Sequence, residues 1–151
     1  MYFFGHIGLT LLLGFMIFLP MVFLLMGSML PDIIDKPLFF LGLAPSGRYI
    51  AHTLLFVALS FVATWIITRK FLSGLSLAFG VLMHLVGDAT HFVPWLYPFV
   101  DYTFPVYEAD WAWISVFLVL EVVGFAILLA LVKYGSNLDK IRNKLRLKFH
   151  K

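Results

Sequence analysis

The chain has 151 residues, of which 62% are hydrophobic and 13% charged, with a mean hydropathy of +0.99. It is long enough for one domain with a real core, but that balance excludes a water-soluble globule and is typical of a polytopic membrane protein. The lack of cysteine excludes disulfides and thiolate metal sites. The formal net charge of +3 does not describe a nucleic-acid surface, because seven of the 11 Lys and Arg residues lie in the last 19 positions, from Lys133 to Lys151.

In chain order, residues 3–30 form a nearly continuous apolar run. No basic residue precedes it and no small-residue cleavage site follows it, so it reads as a membrane segment rather than a signal peptide. Gly14 and Pro20 interrupt it, and it leads into Pro31-Asp32-Ile33-Ile34-Asp35. A Pro/Ser/Gly loop follows from Lys36 to Arg48. A second span runs from Tyr49 to Thr68 with His52 in its first turn, and Arg69-Lys70 stops it. The third span runs from Phe71 to His91. A loop rich in proline and aromatic residues (Pro94 to Tyr107) precedes the fourth, Trp111 to Val132, which carries Glu121. The expected fold is an all-α polytopic membrane bundle with four main spans. Residues 1–134 form the membrane domain and 135–151 a basic amphipathic tail, with Leu138, Ile141, Leu145 and Phe149 at helical spacing. The positive residues put the tail and Arg69-Lys70 in the cytoplasm, so the opposite helix ends form an extracytoplasmic mouth of an integral inner-membrane protein.

The chemistry concentrates in His84-Leu85-Val86-Gly87-Asp88-Ala89-Thr90-His91. On a helix, His84, Asp88 and His91 fall within an arc of about 60°. Two imidazoles and a carboxylate on one stripe suit a divalent metal, and polar groups at membrane depth usually mark a functional site. The plainer reading is a set of buried polar residues hydrogen-bonded across a helix interface. Asp32, Asp35, His52, Asp88 and His91 all fall near one membrane face, with His84 and Glu121 about two turns deep. That many carboxylates and imidazoles are better stabilised by a cation among them than by mutual hydrogen bonds.

His6 has two placements. In one straight helix it would lie about 39 Å from Asp32 at 1.5 Å per residue. If the chain folds back between Gly14 and Pro20, the first segment becomes a helical hairpin and His6 returns to the same face, although its halves are short for a bilayer.

An early His, Pro-Asp-x-x-Asp, a His at the head of the next helix and His-x3-Asp-x2-His together resemble the YdjM-type inner-membrane metal-dependent hydrolases. These are remotely similar to the all-helical zinc phospholipases C and the single-strand-specific zinc nucleases. The resemblance covers residues 6 to 121. It implies metal ligands at His6, Asp32, His52, His84, Asp88 and His91, with Asp35 a ligand or a partner of one, and it favours the folded-back first segment. The chain departs from the phospholipase pattern at Glu121, which has Phe117 four residues before it where that family has His. It also has a single His in Gly47-Arg48-Tyr49-Ile50-Ala51-His52-Thr53. Two metal ions, zinc or else manganese, fit this ligand count better than three.

The resulting expectation is a metal-dependent phosphoesterase acting on a phospholipid or lipid-linked phosphate through a metal-activated water. Asp32 or Asp88 would bridge the ions. Asp35 is a candidate general base or a structural partner, and Arg48 a phosphate contact or a headgroup anchor. The aromatic loop is a lid or an interfacial belt. Membrane lipids are the expected partners, and nucleic acid is not. The alternatives are a metal or proton transporter, and a non-catalytic subunit with a structural metal site.

Overall fold

A computed structural model of the chain describes residues 3–89, 91–105, 118–135 and 140. Among these residues it is all-helical: α1 (Phe3–Met16), α2 (Met21–Phe40), α3 (Leu54–Thr68), α4 (Phe71–Gly87) and α5 (Leu118–Gly135), with a single 3₁₀ turn at Ile50–His52.

The first apolar run does fold back. Pro20 cannot extend the preceding helix, so α1 stops at Met16. Phe18 takes a left-handed φ of 62°, and the Leu19 amide closes the turn on the Gly14 carbonyl at 3.0 Å. Ile7 and Leu11 of α1 then pack with Leu19 and Leu24, and Leu128 and Leu131 of α5 cover that cluster. Pro31 and Pro37 lie inside α2, which nevertheless runs unbroken for 20 residues and presents Asp32, Asp35 and Lys36.

α2 and α4 form the central pair. Gly27 and Gly80 meet at their crossing, where a Cβ on either would run into the other helix's backbone: the Leu77 carbonyl for Gly27, the Leu24 carbonyl for Gly80. Close backbone approach through small residues is the usual packing mode for helices in lipid, which supplies no hydrophobic drive between them. Leu77, Val81, Leu85 and Val93 form a second apolar cluster beside this crossing. α3 is capped by Thr53, whose hydroxyl accepts from the Phe56 amide at 3.0 Å. It ends at a left-handed Arg69 that opens the tight turn into α4. Ser60 is the buried residue of α3, while Leu59, Val62, Ile66 and Ile67 are exposed, as on a helix facing lipid.

Four full spans are not confirmed among the described residues. Among the described residues, one helix, Leu118–Gly135, is long and apolar enough to cross a membrane. α1, α3 and α4 have 14, 15 and 17 residues, so they reach about 21, 22 and 26 Å, short of the roughly 30 Å hydrocarbon thickness. The reason is local. The second apolar stretch becomes helical only at Leu54, after the turn that seats His52, and the third ends at Gly87 rather than His91. Residues 111–117 of the expected fourth span, and the amphipathic tail apart from Gly135 and Lys140, lie outside the described residues.

Candidate metal centre

Six side chains from α1, α2, the loop to the 3₁₀ turn, that turn, and the end of α4 meet at one place. His84, in the last turn of α4, is buried, and its Nδ1 lies 2.7 Å from the carbonyl oxygen of Ser28 on α2. A carbonyl only accepts, so Nδ1 carries a proton, which in the neutral ring leaves the Nε2 lone pair available to a ligand. His52 is fixed in the same manner. Its Nδ1 donates to Asp35 Oδ2 at 2.7 Å, and its Nε2 faces the site. The two Nε2 atoms are 3.3 Å apart.

Two carboxylates complete this group. Asp32 Oδ1 lies 3.7 Å from His52 Nε2 and 3.6 Å from His84 Nε2, and Asp88 Oδ2 lies 3.7 and 4.0 Å from the same atoms. Facing lone pairs and anionic oxygens repel unless a cation sits among them. Ligands bound at 2.0–2.2 Å around a tetrahedral zinc are about 3.3–3.6 Å from one another, close to these separations. The donor set therefore fits a divalent metal, and the groups His6-His84-Asp88 and Asp32-His52-His84 each offer three converging ligand atoms.

His6 joins from the other side. Its ring stacks on His84 with centroids 4.1 Å apart, and its Nε2 lies 3.2 Å from Asp88 Oδ1. The folded-back first segment brings it there. Because His84 has one lone pair to give, it can ligate an ion in only one of the two groups at a time.

Asp88 is the hub. It is the C-cap of α4, its amide bonded to the His84 and Leu85 carbonyls at 3.1 and 3.2 Å. One carboxylate oxygen faces His6, and the other receives Arg48 Nε at 2.5 Å. Ending the helix there undoes the expected three-residue stripe. His91 lies beyond the cap, its amide bonded to the Asp88 carbonyl at 2.9 Å, and it belongs to neither group of converging donors.

Asp35 and Glu121 lie outside both groups of converging donors. Asp35 is fully buried, and its oxygens accept from the Tyr49 amide at 2.6 Å, the Ala51 amide at 3.1 Å and His52. It is thus in neither group of converging donors, and its contacts are those of the structural partner expected as one of its two roles. It builds the loop that seats His52 and orients that ring, the role carboxylates often have behind metal-binding histidines. Glu121 is not part of the cluster either. Its oxygens accept from the amides of Phe4 and Gly5, at 2.9 and 3.0 Å.

A cleft of about 460 Å³ opens onto the cluster, lined by Asp32, Lys36, Arg48, Asp88, Ser46 and, on its apolar side, Phe39, Pro45, Phe104 and Pro105. Lys36 Nζ pairs with Asp32 Oδ2 at 2.6 Å across one helical turn. Sequence reasoning missed Lys36 and the Ser28 carbonyl. The i,i+4 spacing of Asp32 and Lys36 was a usable signal, whereas a backbone carbonyl leaves none. The aromatic loop packs on itself through Phe92, Tyr97, Tyr102 and Phe104, and Phe104 reaches the cleft wall. Tyr49 joins it with its hydroxyl 2.7 Å from that of Tyr97, a hydrogen bond that holds the Tyr49 phenol above its ordinary pKa.

The chain belongs to the YdjM inner membrane protein family, whose model matches residues 1–148. Comparison with curated proteins and with solved structures finds no match.

Proposed function

We propose that this inner-membrane protein is a metal-dependent hydrolase of a phosphoester borne by an amphiphile, such as a phospholipid or a lipid-linked phosphate. The observation that carries the reading is the pair of Nε2 lone pairs and two carboxylates converging beneath a cleft with both cationic and apolar walls.

His52, His84, Asp32 and Asp88 would hold a divalent cation, zinc or else manganese. When bound, it supplies an acidified water and positive charge for the phosphoryl oxygens. A second ion, if taken up, rests on His6 and the outer oxygen of Asp88, since His84 is already engaged. Arg48 and Lys36 face the cleft with the charge a phosphoryl group needs, and a guanidinium can hold two of its oxygens at once. Phe39 in the cleft wall continues into exposed Phe40, Leu41 and Leu43, an apolar rim on which acyl chains can lie. The family's membrane setting supports a substrate that arrives from the bilayer. With the basic tail in the cytoplasm, the cleft would open on the opposite side.

The test is metal content by mass spectrometry on protein purified in detergent without chelator, followed by turnover of vesicles of phosphatidylethanolamine and phosphatidylglycerol. At least one zinc per chain in the wild type, lost in Asp88→Ala, with wild-type release of a phosphorylated or dephosphorylated headgroup, is the expected result. A folded wild type that binds no metal after zinc addition overturns the reading. Zinc flux into proteoliposomes without headgroup release would replace it with transport.

A further inference from the structure

The cluster draws donors from α1, α2 and the end of α4, yet the longest apolar helix, α5, contributes none. α5 instead carries Glu121, a carboxylate within an apolar 18-residue segment, where an ionisable group is costly to keep and so marks a function. Both of its oxygens accept from the first turn of α1, at Phe4 and Gly5. Amides of a first helical turn have no partner within their own helix, and a negative charge there also meets the favourable end of the helix dipole. Glu121 is therefore a cap supplied to α1 by a helix more than a hundred residues away in sequence.

The contact is shaped around that cap. Gly124, three residues on, lies against Gly8, and a Cβ on either would collide with the other helix's backbone. Phe125 meets Phe4 edge to face with centroids 5.2 Å apart. These contacts fix how far α1 slides along α5 and how it is rotated. One residue past the capped amides stands His6, stacked on His84 and in reach of Asp88.

We propose that Glu121 is a positioning residue: through the first turn of α1 it sets the register that delivers His6 to Asp88 and His84. This rests on the metal-site reading for its functional meaning, but the placement of His6 can be read without metal. His52 is oriented by Asp35 and carries no stacking contact with His6, whereas His84 does, so His52 serves as the internal control.

The experiment is diethyl pyrocarbonate labelling of full-length, metal-free protein in detergent, with the modified histidines quantified by peptide mass spectrometry. In the wild type His6, His52 and His84 are all buried and label slowly. In Glu121→Ala, His6 labelling rises severalfold while His52 stays at its wild-type rate; His84, uncovered by the loss of the stacked ring, rises less than His6. In Glu121→Gln, whose carbonyl keeps one acceptor, the rise is smaller. Unchanged His6 labelling, or an equal rise at all three histidines in both variants, overturns the proposal, the latter by showing a merely structural role. Zinc titration gives the second readout. Glu121→Ala weakens binding by about tenfold, as loss of an orienting partner does. Combined with His6→Ala it adds nothing further, because both changes remove the same interaction. Multiplied effects in the double variant would overturn the proposal. A wild type that binds no zinc would overturn the metal reading alone and leave the labelling result standing.

Discussion

The two sides of the cluster are built differently. His52 and His84 are each held at both ring nitrogens, one turned to the site and the other to a fixed acceptor, Asp35 or the Ser28 carbonyl. Asp35 is in turn held by the Tyr49 and Ala51 amides, and the backbone bearing Ser28 adjoins the Gly27–Gly80 crossing. His6 is held by stacking on His84 and by Asp88, and its helix takes its register from α5. A ring fixed by its own neighbours stays in place when a distant helix shifts. A ring carried on a helix moves with that helix. The first side can therefore serve as a rigid binding core, and the second as an adjustable addition to it.

Removing the core has the largest expected effect. His84→Ala deletes the one side chain common to both groups of donors, and zinc retention after purification should fall to background. If His84→Ala kept its metal, the core would lie elsewhere. The next effect compares the two sides directly. Asp35→Asn keeps the size of the side chain but turns a donor toward the Tyr49 and Ala51 amides, so zinc affinity should fall by roughly 10- to 100-fold. His6→Ala should cost less than Asp35→Asn in the same competition titration. The reverse order would make α1 the core and the comparison wrong. The smallest effect is expected at Lys36→Gln. Its pair with Asp32 joins a half-exposed ammonium to a partly exposed carboxylate across one helical turn, so the unfolding free energy should change by no more than about 0.5 kcal/mol. Zinc binding should hardly move. A large loss there would mean that Lys36 shapes Asp32 as firmly as Asp35 shapes His52.

Much of this was readable before any coordinates. The spacing of Pro31-Asp32-Ile33-Ile34-Asp35 and His84-x3-Asp88 put the right residue types in the right neighbourhood, and Gly14 with Pro20 marked the break that returns His6. Periodicity failed where the helix stopped. Asp88 caps α4 instead of continuing it, so extrapolating about 100° per residue to His91 had no helix to run along. Depth counting cannot place Glu121, because two carboxylates at the same depth can face different neighbours and only packing decides which. The partners that matter for His84 and Glu121 are a backbone carbonyl and two backbone amides. Every residue has these groups, so the sequence could not single them out.

The turn at Phe18 also bears on how many times the chain traverses the bilayer. A segment that enters and returns makes no net crossing, so in a bilayer the start of α1 and the loop after Phe40 would lie on the same side. Hydropathy alone scores residues 3–30 as one passage, which changes the parity of the count by one. With sides read from the positive residues, the later loops would keep theirs, and the left-handed residue that reverses the chain would change only the side expected for the start of α1.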